Sequence, residues 1–209
     1  MVTKLNAMAR ECFLVCLWSQ TIEQACGKFD GNGCDYQSML AADKVESPLP
    51  YTDTKPVGHA DFYFAVNATF RFILRHHGEE ALRKYWQDIG RSYYRPVAER
   101  WRERGLAGVA DYWRAFFKAE PGADVEVIEA EDETRLEVRV CPAIRHLRAH
   151  EREIVPTFCQ HCYFVNEAIA EAAGMTARVC GGNGCCTQRF MKRTTDLPSQ
   201  NLEDIATAS

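Results

Sequence analysis

Hydrophobic positions follow a helical period through most of the first 118 residues and switch to strict alternation after the Pro121-Gly122 turn. Residues 3–26 place Cys12, Cys16, Ser19, Glu23 and Cys26 on one helical stripe. From 27 to 58 the glycine and proline density, with GKFDGNGC and SPLPYTDTKP, predicts an irregular connection. A helix is expected over 59–77 on Phe62, Val66, Phe70 and Ile73, stopped by Gly78. The next, from Glu79 to about Arg104, carries Leu82, Trp86, Ile89 and Tyr93, with a kink expected near Pro96 and an end at Gly105. A third covers 106–118. VEVIEA and RLEVRV then read as an antiparallel hairpin with its acidic tip at Glu131–Glu133.

Cys141-Pro142 ends the second strand and leads into a short helix through His146. A longer helix is expected from about 154 to 173 on Val155, Phe158, Cys162, Val165 and Ile169, with Gly174 in C-cap position. Two more strands, 175–179 and 187–191, would flank the turn CGGNGC. The predicted fold class is α+β: N-terminal helices followed by a small antiparallel sheet with helices packed on one face. One domain is expected over 1–195, divided into 1–58, 59–120 and a cysteine-rich 121–195, with 196–209 a polar, poorly ordered tail.

Composition narrows the function classes. A net charge of -4 gives no general attraction to nucleic acid or anionic membrane, and the Arg-rich run from Arg91 to Arg104 is interleaved with Glu99 and Glu103. No stretch reaches the roughly 18 uninterrupted apolar residues of a membrane span, and the apolar pieces near the N-terminus are broken by Lys4, Arg10, Glu11 and Glu23. The expectation is a cytoplasmic protein with a small-molecule substrate and neither a nucleic-acid nor a membrane partner; a homo-oligomer stays open. In that compartment ten cysteines read as thiols, metal ligands or a nucleophile rather than as a disulfide framework.

Six of those thiols fall between Cys141 and Cys186. Cys159 is the preferred functional thiol, at the edge of the core stripe, with His161, Cys141 and Cys185 as the other catalytic candidates. Gly181, Gly182, Asn183 and Gly184 form a turn whose backbone could approach a ligand and stabilise an anion. Arg145, or alternatively Arg148 or Arg178, could clamp a carboxylate. No cofactor is expected; the alternative is zinc on Cys159, Cys162, Cys180 and Cys185, a CxxC followed by a slacker second pair. An iron–sulfur cluster on Cys12, Cys16 and Cys26 is disfavoured, because a regular helix spreads the three too far apart. Trp86, Trp101 and Trp113 could line an aromatic cavity, although such stripes also build cores.

The order CP, then FC..C on a helix ending in AGM, then a Gly-rich turn with cysteine before an aromatic strand residue, resembles the L-2-amino-thiazoline-4-carboxylic acid hydrolase-like family over about 59–190. The resemblance implies an intracellular hydrolase that opens small cyclic amidines or thioimidates. The matching positions are Cys141, Cys159 and Cys185 or Cys186; His161, Cys162 and the cysteine-bearing first helix depart from the pattern. The helices-then-sheet order with late cysteines is also similar to the four-vinyl reductase domains, which implies a small-molecule or metal-binding sensor or carrier without catalysis.

Overall fold

The computed structural model describes residues 60–120, 122–194 and 197–209, which lie in the compact unit Thr54–Ser209. The stripe of Cys12, Cys16 and Cys26, the irregular 27–58 and His59 lie outside the described residues.

The α+β class holds. Helix α1 spans Phe62–Asp88, with Gly78 at φ 83° breaking its regularity where the sequence placed a stop. A π-helical turn, Ile89–Tyr93, joins it to α2, Arg95–Ala119, itself broken at Gly105 by a φ of 63°. Glycine alone takes such angles without a Cβ clash. The expected kink at Pro96 lies elsewhere: Pro96 sits in the first turn of α2, where its missing N–H costs nothing, and the break falls in the π turn before it. That turn presses Gly90 so closely on the neighbouring helix that a Cβ there would lie 2.6 Å from the Val165 carbonyl oxygen and from Ala168 Cβ.

Strands β1 (Asp124–Glu129) and β2 (Glu133–Val140) form the expected hairpin. Helix α3 (Pro142–Ala149) follows, then α4 (Gln160–Ala172), then β3 (Met175–Gly182) and β4 (Cys185–Lys192). α4 begins later than residue 154, because 156–159 is a series of turns beyond Pro156, a residue that disfavours helix in its predecessor. β3 and β4 are longer than expected, so only Asn183 and Gly184 form the loop, both at positive φ, as a two-residue hairpin requires.

The sheet order is β1-β2-β4-β3-β5. Its first four strands are antiparallel; β5, the pair Ile205–Ala206, lies parallel against Gly181 and Gly182, so the sheet is mixed. The chain end therefore departs from the polar, poorly ordered tail. The Gln200 side chain accepts from Val179 N–H at 3.0 Å and donates to Val179 C=O at 3.1 Å, covering the β3 edge as a strand would. Ile205 and Ala208 are buried.

Alternation gives the sheet a helix-covered face, with Leu136, Val138, Gln188, Phe190, Ala177 and Val179, and a polar face, with Arg135, Glu137, Arg189 and Arg178. Two apolar clusters result. One joins α2, α4 and the sheet around Trp101, Leu136 and Phe190. The other joins α1, α3 and residues 154–158 around Phe70, Trp86, Leu147 and Phe158. Trp86 and Trp101 are fully buried, one in each cluster, so both fill cores rather than line a cavity.

Candidate functional site

Cys141 packs against both clusters, Cys159 against the second and Cys186 against the first. The thiols thus gather at the seam between the cores, where the β3–β4 turn closes over the start of α4. Cys159 is the residue immediately before α4. Its Sγ accepts a hydrogen bond from Asn183 N–H at 3.2 Å, and a Cβ added at Gly182 would lie 3.2 Å from Cys159 Cβ. Cys141 N–H donates to Gly184 C=O at 2.8 Å. Cys186 pairs with Gly181 across the hairpin. Three of the four predicted turn residues therefore face sequence-predicted cysteines, as their order in the chain did not reveal.

The turn is not an open cradle. Gly181 and Gly182 lie in β3 between β4 and β5, and Asn183 N–H is given to sulfur. Asn183 Oδ1 accepts from Ser209 N–H at 2.9 Å and from the Arg148 guanidinium, while Arg148 Nε donates to Ser209 C=O at 2.9 Å. Ala208 N–H donates to Pro156 C=O at 2.9 Å. Residues 205–209 form a strap across the turn. Arg145 is elsewhere, donating to Gly122 C=O at 3.2 Å; Arg148 is the guanidinium at the turn.

His161 goes to Cys162. Its Nδ1 lies 2.5 Å from Phe158 C=O, and its Nε2 is 3.7 Å from Cys162 Sγ. Since a carbonyl only accepts, Nδ1 carries the proton, and Cys162 Sγ, 4.0 Å from Nδ1 as well as 3.7 Å from Nε2, lies over the ring and off the Nε2 lone-pair axis. The ring packs among Phe70, Phe158 and Trp86, and this burial lowers its pKa, so it is neutral at physiological pH.

Burial governs the thiols as well. It pushes Cys159 up to about 12, with Cys162 adding to the rise while Asn183 N–H and Arg148 oppose it. Cys162 is likewise pushed up to about 12 by burial. Cys141 is pushed up to about 11 by burial and by Cys162, against the N–H groups of Ile144 and Ala143 at the start of α3. Cys186 is raised by burial and then by Cys162, with the Gln188 amide opposing. All four are neutral thiols at neutral pH. A member that sequence reasoning missed is Tyr63, whose hydroxyl burial and a hydrogen bond to Glu120 hold protonated beside Cys141 and Cys162. Tyr63 stands next to Phe62 and outside the stripe of Phe62, Val66, Phe70 and Ile73, so the pattern gave no hint of that contact.

Cys180 and Cys185 are exposed, Cys180 on the polar face of the sheet opposite Thr187 and Cys185 at the start of β4 opposite Gly182. Cys180 is thus on the far side of the sheet from Cys186, and the structure does not bring the four cysteines of the alternative zinc set together. Among the described residues no three His, Cys, Asp or Glu side chains are placed to hold a metal ion. A groove lies away from the thiols, between α2 and β1, lined by Arg114, Phe117, Lys118, Val125 and Val127. Among the described residues no helix is long and apolar enough to cross a membrane. No protein-family model, curated protein or solved structure matches the chain.

Proposed function

We propose that the chain is a cysteine-dependent hydrolase that opens a C–N or C–S bond in a small cyclic amidine or thioimidate, with Cys159 as the nucleophile. The observation that carries this reading is the 3.2 Å hydrogen bond from Asn183 N–H to Cys159 Sγ at the start of α4. A backbone donor and a helix N-terminus both favour negative charge on sulfur. Because burial keeps Cys159 neutral, the attack suits a basic substrate. The thiol proton passes to the ring nitrogen as Sγ bonds to the adjacent sp² carbon, and the ring C–N or C–S bond breaks. Water then attacks the same carbon, and Sγ leaves and recovers a proton.

For substrate to reach Sγ the strap of residues 205–209 must shift, which frees the Arg148 guanidinium from Ser209. The strap is also what favours a second reading, a small-molecule carrier or sensor in which the covered thiol binds without turnover. Ring opening of a panel of cyclic amidines and thioimidates, by the wild-type chain and by Cys159→Ser, separates the two. The hydrolase reading expects turnover that Cys159→Ser reduces to background at an unchanged unfolding midpoint. Turnover that persists in Cys159→Ser sinks it.

A further inference from the structure

The sequence CQHC occupies the entry to α4, with Cys159 before the helix and Cys162 in its first turn. That entry is wound tightly: Phe158 N–H bonds to Val155 C=O, Gln160 N–H to Thr157 C=O, and His161 N–H to Phe158 C=O, at 2.8, 2.9 and 3.3 Å. In such 3₁₀ winding, side chains three apart eclipse. On a regular helix, positions three apart already hold their Cβ atoms about 5–6 Å apart. A disulfide needs Cα atoms within about 7 Å and Cβ atoms near 4 Å, so the backbone of this tightly wound entry must close by about 1–2 Å to join the two sulfurs.

The surroundings differ for the two sulfurs in a way that assigns them different parts. Cys159 meets the turn and the strap, and its Sγ has one weak acceptor bond. Cys162 lies one step inside, over the ring of His161, whose Nδ1 is fixed by Phe158 C=O. Both residues are partly exposed.

We propose that Cys159 and Cys162 are a reversible dithiol–disulfide pair, in which Cys159 meets an external disulfide and Cys162 resolves it. Cys159 thiolate attacks one sulfur of a low-molecular-weight disulfide such as oxidised glutathione, forming a mixed disulfide and releasing one thiolate. Cys162 gives its proton to the glutathione thiolate released in the first step and attacks Cys159 Sγ. The second glutathione thiolate leaves, and the two protons lost by the protein are recovered by the two glutathione thiols. The protein is oxidised by two electrons and the glutathione disulfide is reduced by two, so no other co-reactant is needed. Burial, which disfavours both thiolates, gives the reduced form no electrostatic advantage, so the disulfide once formed is not a strongly oxidising one. The pair stands whether or not Cys159 is a hydrolytic nucleophile; if it is, oxidation turns that activity off.

The test uses the full chain equilibrated with glutathione and oxidised glutathione at a series of ratios, quenched in acid, alkylated and digested with trypsin. Cys159 and Cys162 fall together on one peptide, 153–178, which has no other cysteine. That peptide is expected to pass from doubly alkylated to an unlabelled internal disulfide, its oxidised-to-reduced ratio rising about a hundred-fold for each ten-fold fall in glutathione at fixed oxidised glutathione. Cys162→Ser is expected to stop at Cys159 glutathionylated. Wild-type protein that stays doubly alkylated, stops at the mixed disulfide, or links either cysteine to another peptide overturns the proposal without bearing on turnover.

Discussion

Cys159 and Cys162 show how burial and a neighbour set opposing demands on one functional group. Desolvation holds Cys159 neutral while the Asn183 N–H favours its thiolate. Alkylation of Cys159 by iodoacetamide is therefore expected to be slow at neutral pH compared with exposed Cys180 and Cys185, and to accelerate up to pH about 12. Peptide-resolved rates check this; a Cys159 rate that levels off near neutrality would contradict it. The same shifts bear on stability with a definite sign. The unfolded chain ionises its thiols from about pH 9, whereas the folded chain resists until about 11 to 12 at Cys141, Cys159 and Cys162, so stability is lost across that window. His161, lowered by burial, refuses a proton that the unfolded chain accepts, so stability also falls as the pH drops below the ordinary imidazole range. Urea unfolding in acid, neutral and alkaline buffers should show both losses, the acid limb flattening in His161→Gln. What the sequence did show at this scale is that Cys159 borders the core. It could not show that His161 turns to Cys162, because that depends on the 3₁₀ entry to α4 and on the Phe158 carbonyl.

Elements were legible where periodicity is long and breakers are strong. Gly78 and Gly105 interrupt helices as expected because a positive φ there needs no partner. Pro96 misled, since the same residue that kinks a helix interior is tolerated in a first turn. The π turn was invisible, being fixed by the contact of Gly90 with Val165 and Ala168. Gly90→Ala is expected to cost about 1–3 kcal/mol by overpacking in chemical denaturation; a change within about 0.5 kcal/mol would show that the helices part easily. β5 was equally hidden, because two residues carry no alternation. Gly182 is where this element meets the site, since an added Cβ would stand 2.8 Å from the Ala206 carbonyl oxygen. Gly182→Ala should therefore lift the strap, read as faster alkylation of Cys159 and, at a lesser rate, of Cys162. Unchanged protection of both thiols would mean that the strap does not cover them.

Across the whole described unit, the seam between two apolar clusters brings together thiols from the β2–α3 junction, the start of α4 and the start of β4. The helices-then-sheet class followed from pattern alone, but the gathering of Cys141, Cys159, Cys162 and Cys186 follows from the order β2-β4-β3, which places the β3–β4 turn beside α3 and α4. Strand alternation puts Cys180 on the opposite face of the sheet from Cys186, which the spacing of the cysteines in the chain could not show. The polar face of the sheet, by contrast, is held by exposed pairs such as Arg135 with Glu137 and Arg139 with Asp124. Each such pair is worth at most about 1 kcal/mol. Removing either should leave both the fold and the thiol chemistry intact.

Cys159 is proposed as the thiol at which a basic small molecule reacts. The most direct test is peptide mapping of the full chain after parallel treatment with iodoacetamide and with an α-haloalkyl amidine, a reagent that carries the substrate's basic group. Iodoacetamide is expected to label Cys180 and Cys185 first, whereas the amidine reagent labels Cys159 preferentially at the same pH. Labelling of Cys180 and Cys185 by both reagents in the same proportion, with Cys159 untouched, would contradict it.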